Sequence, residues 1–203
     1  MRRSILPLTL LLGASVAQAS DVELSGAEGH PRERFPLAVH LASAGDPALD
    51  AAAKRAVQDW NAVTETTLRV RAFVDAPGPR DAQVLVVLDS TDSPKMMGAT
   101  RLGSDASGVI ELPVRITIFP PEARGQTSRE TLLYQLVAHE LGHALGLPHT
   151  RDPRSLMCCV SGGIDFNDPS VRAAYVDARR HPDVRSAAAE LGELYAKFWR
   201  RTP

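Results

Sequence analysis

Cysteine is almost absent: the 203 residues contain two, Cys158 and Cys159, and they are neighbours. Adjacent cysteines cannot close the long loops through which disulfides staple small secreted domains, so stability has to come from a packed core. Aromatic residues are sparse at 5%, yet a 44% share of hydrophobic residues is ample for a core in one domain of this length. Neither sign of charge is in excess. A formal net charge of -1 gives no electrostatic basis for nucleic acid or an anionic membrane as the main partner. There is no internal repeat, no low-complexity segment and no linker long enough to split the chain.

The apolar run from Ile5 to Val16 is too short to span a bilayer and contains Pro7 and Gly13. With Arg2 and Arg3 before it and Ala17-Gln18-Ala19 after it, it reads as a secretory signal peptide over residues 1–19, cut after Ala19. No cysteine follows the cut, so a bacterial lipid anchor is not indicated, and no membrane anchor is expected in the mature chain. The expected location is secreted or periplasmic. Residues 20–34 are polar, with Gly26, Gly29 and Pro31, and read as a flexible N-terminal segment ahead of a single domain over 35–203.

"FPLAVHL" at 35–41 alternates as a strand does, and Asp46-Pro47 begins a helix with a side-chain cap and a proline in its first turn. Leu49, Ala53, Ala56, Val57 and Trp60 recur at helical spacing and mark its buried face. Strand periodicity returns in 68–74 and 82–90, the second run apolar enough to be covered on both faces. "GATRLG" and "GVIELPVRITIF", the latter divided by Pro113, supply further strands. Ser128 starts a helix through Thr131 to Ala144, and two helical stretches follow, 169–180 and 183–199. The order of elements is that of an α/β (α+β) domain.

Three of the six histidines fall within "HELGHALGLPH", residues 139–149. Four residues apart on a helix, His139 and His143 project from one face about one turn apart, a spacing that lets two imidazoles hold one ion. Glu140 is turned sideways, within reach of a water on the metal without being a ligand. Gly146 permits the left-handed conformation that ends the helix, Pro148 discourages its continuation, and the turn returns His149 as a third ligand. Gly142, inside the helix, costs about 1 kcal/mol against alanine and needs another reason, such as the close approach of a neighbouring backbone. Three imidazoles and no thiolate leave a fourth position open, the arrangement of catalytic and not structural zinc, although other divalent ions also accept imidazole. HExxH alone arises by chance on many amphipathic helices; HExxHxxGxxH fixes five positions, and chance becomes a poor account of it. His30, His40 and His181 have no partner spacing and read as ordinary histidines.

HELGHALGLPH followed by Met157 in "SLM" resembles the metzincin clan of zinc endopeptidases, and the wider run around "VAHELGHALGL" is most similar to the matrixins, enzymes of the matrix metalloproteinase type. The resemblance implies a twisted, mostly parallel sheet with one antiparallel edge strand, an active-site helix, a Met-turn and C-terminal helices. It implies one catalytic Zn2+ on His139, His143 and His149, Glu140 as general base and acid, and Met157 as a hydrophobic floor beneath the metal. Gln135 and the loop after Met157 would line the pocket for the side chain just after the scissile bond, and "GATRLGSDASGVIEL" would hold the edge strand to which an extended substrate adds. The partner implied is a protein or peptide substrate.

The chain departs from the family at several points. It has no PRCGVPD-like cysteine switch, no histidine-aspartate set for a second, structural zinc and no calcium loop, so structural calcium is not indicated. If a segment imposes latency it is 20–34, through Asp21, Glu23 or Glu28. Cys158-Cys159 stand where tyrosine-proline is usual; an adjacent-residue disulfide, a pairing between chains and buried thiols are all open, and the sequence carries no signature of an oligomeric state. Two other classes compete with the peptidase: a secreted zinc-bound module that holds peptides without cleaving them, and a structural protein with incidental histidines. An intact Glu140 argues against the first, and stoichiometric metal would exclude the second.

Overall fold

The computed structural model describes residues 24–89, 97–119 and 127–202; the signal-peptide reading of 1–19 lies outside them. Its frame is a five-stranded sheet made of β1 (Leu37–Leu41), β2 (Phe73–Asp75), β3 (Val84–Leu88), β4 (Gly98–Arg101) and β5 (Val114–Ile118), in the order β2-β1-β3-β5-β4. All neighbours are parallel except β4, which runs antiparallel to β5 and forms an outer edge. Four helices complete the α+β arrangement: α1 (Pro47–Leu68), α2 (Arg129–Ala144), α3 (Pro169–Arg180) and α4 (Ala188–Arg201).

The helix starts follow from local chemistry. Asp46, Ser128 and Asp168 each accept an amide of the first turn, and Pro47 and Pro169 occupy positions where an amide hydrogen is not needed. The expected strand over 68–74 shrinks to Phe73–Asp75, because α1 continues until Leu68 buries its side chain and Arg69 turns out of the helix at φ 60°. Asn61 then acts as a strand partner from within α1: its side chain accepts from the Phe73 amide at 2.7 Å and donates to the Phe73 carbonyl at 3.0 Å.

β3 is covered on one face and not two. Val84 and Val86 are fully buried while Leu85, Val87 and Leu88 are partly exposed, and on β5 Val114, Ile116 and Ile118 alternate inward with Arg115 exposed. The covered face belongs to one core with Trp60 of α1, Leu141 of α2 and Leu191 and Phe198 of α4.

Residues 24–34, which composition suggests are a flexible lead-in, are tied to this core. The Gly29 amide donates to the Gly108 carbonyl, Trp199 donates its indole N–H to the His30 carbonyl at 2.9 Å, and Arg201 donates to the Ala27 carbonyl at 2.8 Å. His30 is fully buried. Its Nε2 donates to the Ala144 carbonyl at 2.9 Å, which leaves Nδ1 to accept from Arg34 at 3.3 Å.

Burial, with the Arg34 charge adding to it against the opposing Ala144 bond, pushes the His30 pKa down to about 4. Above about pH 6.5 neither state carries the proton; between 6.5 and 4 only the unfolded chain takes it up, so stability falls as pH falls through that window. His30→Gln keeps an amide donor for Ala144 and does not titrate. In urea unfolding at pH 7 and pH 4.5, the wild type should lose about 2 kcal/mol more than this variant; equal losses would remove His30 from the acid sensitivity.

Candidate metal centre

Helix α2 carries the histidine motif and is held from three sides. Trp60 Nε1 donates to the Ala138 carbonyl at 2.8 Å, in mid-helix. At the C-terminal end, where helix carbonyls run out of internal partners, His30 takes the Ala144 carbonyl and the Tyr195 hydroxyl takes that of Leu145 at 3.0 Å. Gly146 follows at φ 92°, and a Cβ there would lie 2.5 Å from the Glu28 carbonyl oxygen, so both conformation and space demand glycine. The chain reverses and His149 returns to the helix.

The three Nε2 atoms converge: His139 to His149 is 3.1 Å, His139 to His143 is 3.1 Å and His143 to His149 is 3.2 Å. Two of the rings are oriented by their other nitrogen, His139 Nδ1 donating to the Leu156 carbonyl at 2.8 Å and His143 Nδ1 to that of Leu147 at 2.7 Å. Those Nδ1 protons leave bare lone pairs on the corresponding Nε2 atoms. Burial and then the neighbouring His143 hold the His139 pKa well below its ordinary value, with His149 and Arg179 adding to the effect against the Leu156 bond. Burial and His149 lower that of His143 to about 4. Neutral imidazoles facing one point suit a cation, and tetrahedral zinc with bonds of about 2.0–2.1 Å separates its ligand nitrogens by about 3.3 Å. The residues fit zinc.

Glu140 is buried beside them. Thr100 of β4 donates its hydroxyl to Glu140 Oε2 at 2.7 Å and reaches the Glu140 backbone carbonyl at 3.2 Å. A Cβ on Gly98 would stand 2.6 Å from Glu140 Oε1, so the first residue of the edge strand has to be glycine for the carboxylate to stay where it is. Neither Gly98 nor Thr100 stands out in the sequence, where the only signal is the strand character of "GATRLG".

Met157 is fully buried and explains Gly142: a Cβ at 142 would run into Met157 Sδ and come within 3.2 Å of the Trp60 ring. The close approach is by side chains, not by the neighbouring backbone expected. Cys158 and Cys159 form a disulfide with each other. Asp21 and Glu23, candidates for latency, lie outside the described residues. The Glu28 carboxylate turns back on its own segment, accepting the Ser25 hydroxyl and the amides of Ser25, Gly26 and Ala27.

A cleft of about 270 Å³ opens beside the histidines, lined by Gly98, Gln135, His139, Glu140, Cys158 and Arg179 among others. Gln135 therefore sits at the cleft, one turn before His139. A larger groove of about 650 Å³, between Asp59, Tyr134 and Arg185, contains none of the three clustered histidines. His139, His149 and Glu140 line the smaller space.

Residues 88–172 match the family model described as Matrixin, from the third strand through the histidine motif to the start of α3. The chain is matrixin-like. Within it, 46 residues are 44% identical to the macrophage metalloelastase of Oryctolagus cuniculus, a stretch covering 23% of this chain and 10% of that relative. The matrixin-like chain thus matches about a tenth of the length of that curated relative. A mixed sheet with an antiparallel edge strand and four helices accords with a matrixin catalytic domain. No helix among the described residues is long and apolar enough to cross a membrane.

Proposed function

We propose that the protein is a secreted zinc-dependent endopeptidase in which Glu140 moves the protons of peptide-bond hydrolysis. The observation that carries the reading is the convergence of three Nε2 atoms within 3.2 Å of one another beside a buried carboxylate, on an open cleft. His139, His143 and His149 would hold the zinc, which when bound polarises the scissile carbonyl and brings the pKa of water towards about 7.

The chain's own groups do the rest. Glu140 accepts a proton from the attacking water and returns it to the departing amine. Thr100 fixes the orientation of that carboxylate by donating to its Oε2. The outer edge of β4 offers backbone groups to an extended peptide, and the cleft at Gln135 and Cys158 receives the side chain that follows the scissile bond.

Thr100 acts through Glu140, so Thr100→Val should lower kcat by ~10-fold with little change in KM, because the carboxylate loses orientation and the substrate loses no contact. Thr100→Ser should restore most of the rate. A valine variant as fast as the wild type would show that Glu140 needs no such support.

The experiment that tests the proposal is metal analysis of the mature protein alongside cleavage of a quenched peptide library. One zinc per chain and cleavage abolished by a chelator is the expected result. One zinc without cleavage would favour a peptide-binding module, and no metal would overturn the reading of the histidines. N-terminal sequencing of exported protein should find Ser20 first; a chain that keeps residues 1–19 would contradict secretion through this leader.

A further inference from the structure

The cleft beside the histidines is lined by a charged group that the hydrolysis does not use. Arg179, in the last turn of α3, lines the same space as Gln135, His139 and Cys158. It is half-buried and held from two sides: Nη2 donates to the Cys158 carbonyl at 3.0 Å, and the guanidinium lies over the Tyr175 ring, 4.8 Å from its centroid. Among the described residues no carboxylate lies within ion-pair distance of it. Asp177 pairs with His181, and Glu140 accepts from Thr100.

A guanidinium has five N–H donors in a planar fork, and one bond to a carbonyl leaves most of them unused. The fork matches a carboxylate, and bonds between ionised partners are about twice as strong as neutral ones. Packing against Tyr175 and the bond to Cys158 hold the fork in place before any ligand arrives, so little ordering remains to oppose binding. An apolar side chain entering the cleft would cover this cation without satisfying it, whereas a carboxylate would complete it.

We infer that Arg179 is a specificity residue that receives a carboxylate on the residue following the scissile bond, either an acidic side chain or the free end of a chain that stops there. The inference rests on the peptidase reading and deepens it by naming the substrate class.

The test uses peptides identical except at the position after the scissile bond, which carries Leu, Gln, Glu or Lys, with a further peptide that ends at that residue in a free carboxylate. For the wild type, kcat/KM for the Glu peptide or for the free-ended one should exceed that for the neutral internal Gln peptide by at least ~10-fold. Arg179→Gln should reduce that ratio to near one, and Arg179→Lys should keep part of it. Because the readout is a ratio within one protein, partial loss of folding in a variant cancels. Preference for the free-ended peptide over the internal Glu peptide would place the carboxylate at the chain end; the reverse would place it on the side chain. Internal Glu cleaved no better than Leu or Gln together with no preference for the free-ended peptide, or a preference for either carboxylate that survives Arg179→Gln, overturns the assignment while leaving the peptidase intact. Zinc-loaded protein that cuts none of the peptides overturns the peptidase reading and this inference with it.

Discussion

Glu140→Gln should lower peptide cleavage by ~10²–10⁴-fold while the protein still binds one zinc per chain. Positioned proton transfer contributes about that much, equivalent to roughly 3–5 kcal/mol of barrier. Glutamine is the informative replacement because it has the shape of glutamate. Thr100 can still donate to the amide oxygen in place of Oε2, and Gly98 still leaves room beneath the side chain. Alanine would remove the carboxylate and also deprive the buried Thr100 hydroxyl of its 2.7 Å partner, which mixes a structural effect with a chemical one. The measurement is kcat on a quenched peptide with zinc content determined on the same sample. A variant that cleaves at the wild-type rate would end the role of Glu140; one that loses both rate and zinc would make it a structural support of the centre.

Removing a ligand acts on stability as well as on rate. Metal that binds only the folded chain stabilises it by RT ln(1 + [L]/Kd), about 2.7 kcal/mol at a hundredfold excess over Kd, which for a domain of this size raises Tm by about 5–10 °C. A chelator should therefore lower the wild-type Tm by that amount. His143→Ala leaves two of the three converging nitrogens and also strips the Leu147 carbonyl of its 2.7 Å donor in the turn that positions His149. Its zinc affinity should fall by more than ~10²-fold, beyond what loss of an outer-shell partner costs. Its Tm should match that of the chelated wild type or lie below it, and a chelator should not move it further. A chelator that shifts the variant as much as the wild type would mean that the metal sits elsewhere.

The histidine centre was legible because all of its parts lie within eleven consecutive residues, where helical rotation and one glycine determine the geometry. Helix starts were legible for the same reason: Asp46, Ser128 and Asp168 act on amides two or three residues away. What escaped notice arrives from a distance. Thr100 meets Glu140 across 40 residues, through an antiparallel pairing that local pattern does not encode, and Arg179 reaches Cys158 across 21. The polar run 24–34 reads as mobile because its partners, Trp199 and Arg201, lie more than 160 residues further along. The start of β2 was misplaced for a subtler reason. Alternation in "LRVRAFV" favours a strand, but burial of Leu68 against the core outweighs it, and Arg69 accepts the left-handed turn that follows.

The two carbonyls at the end of α2 are satisfied from opposite directions along the chain, by His30 from 114 residues upstream and by Tyr195 from 50 residues downstream. A growing chain therefore displays its whole histidine motif long before the helix containing Tyr195 exists. Until then the turn that presents His149 has one of its two outside supports, and Trp199, which clasps the His30 segment, is also missing. Contacts of such separation close late. On the proposed reading, full metal affinity would thus belong to the finished chain, and a partly synthesised one would carry the ligands without the rigidity that makes them a site.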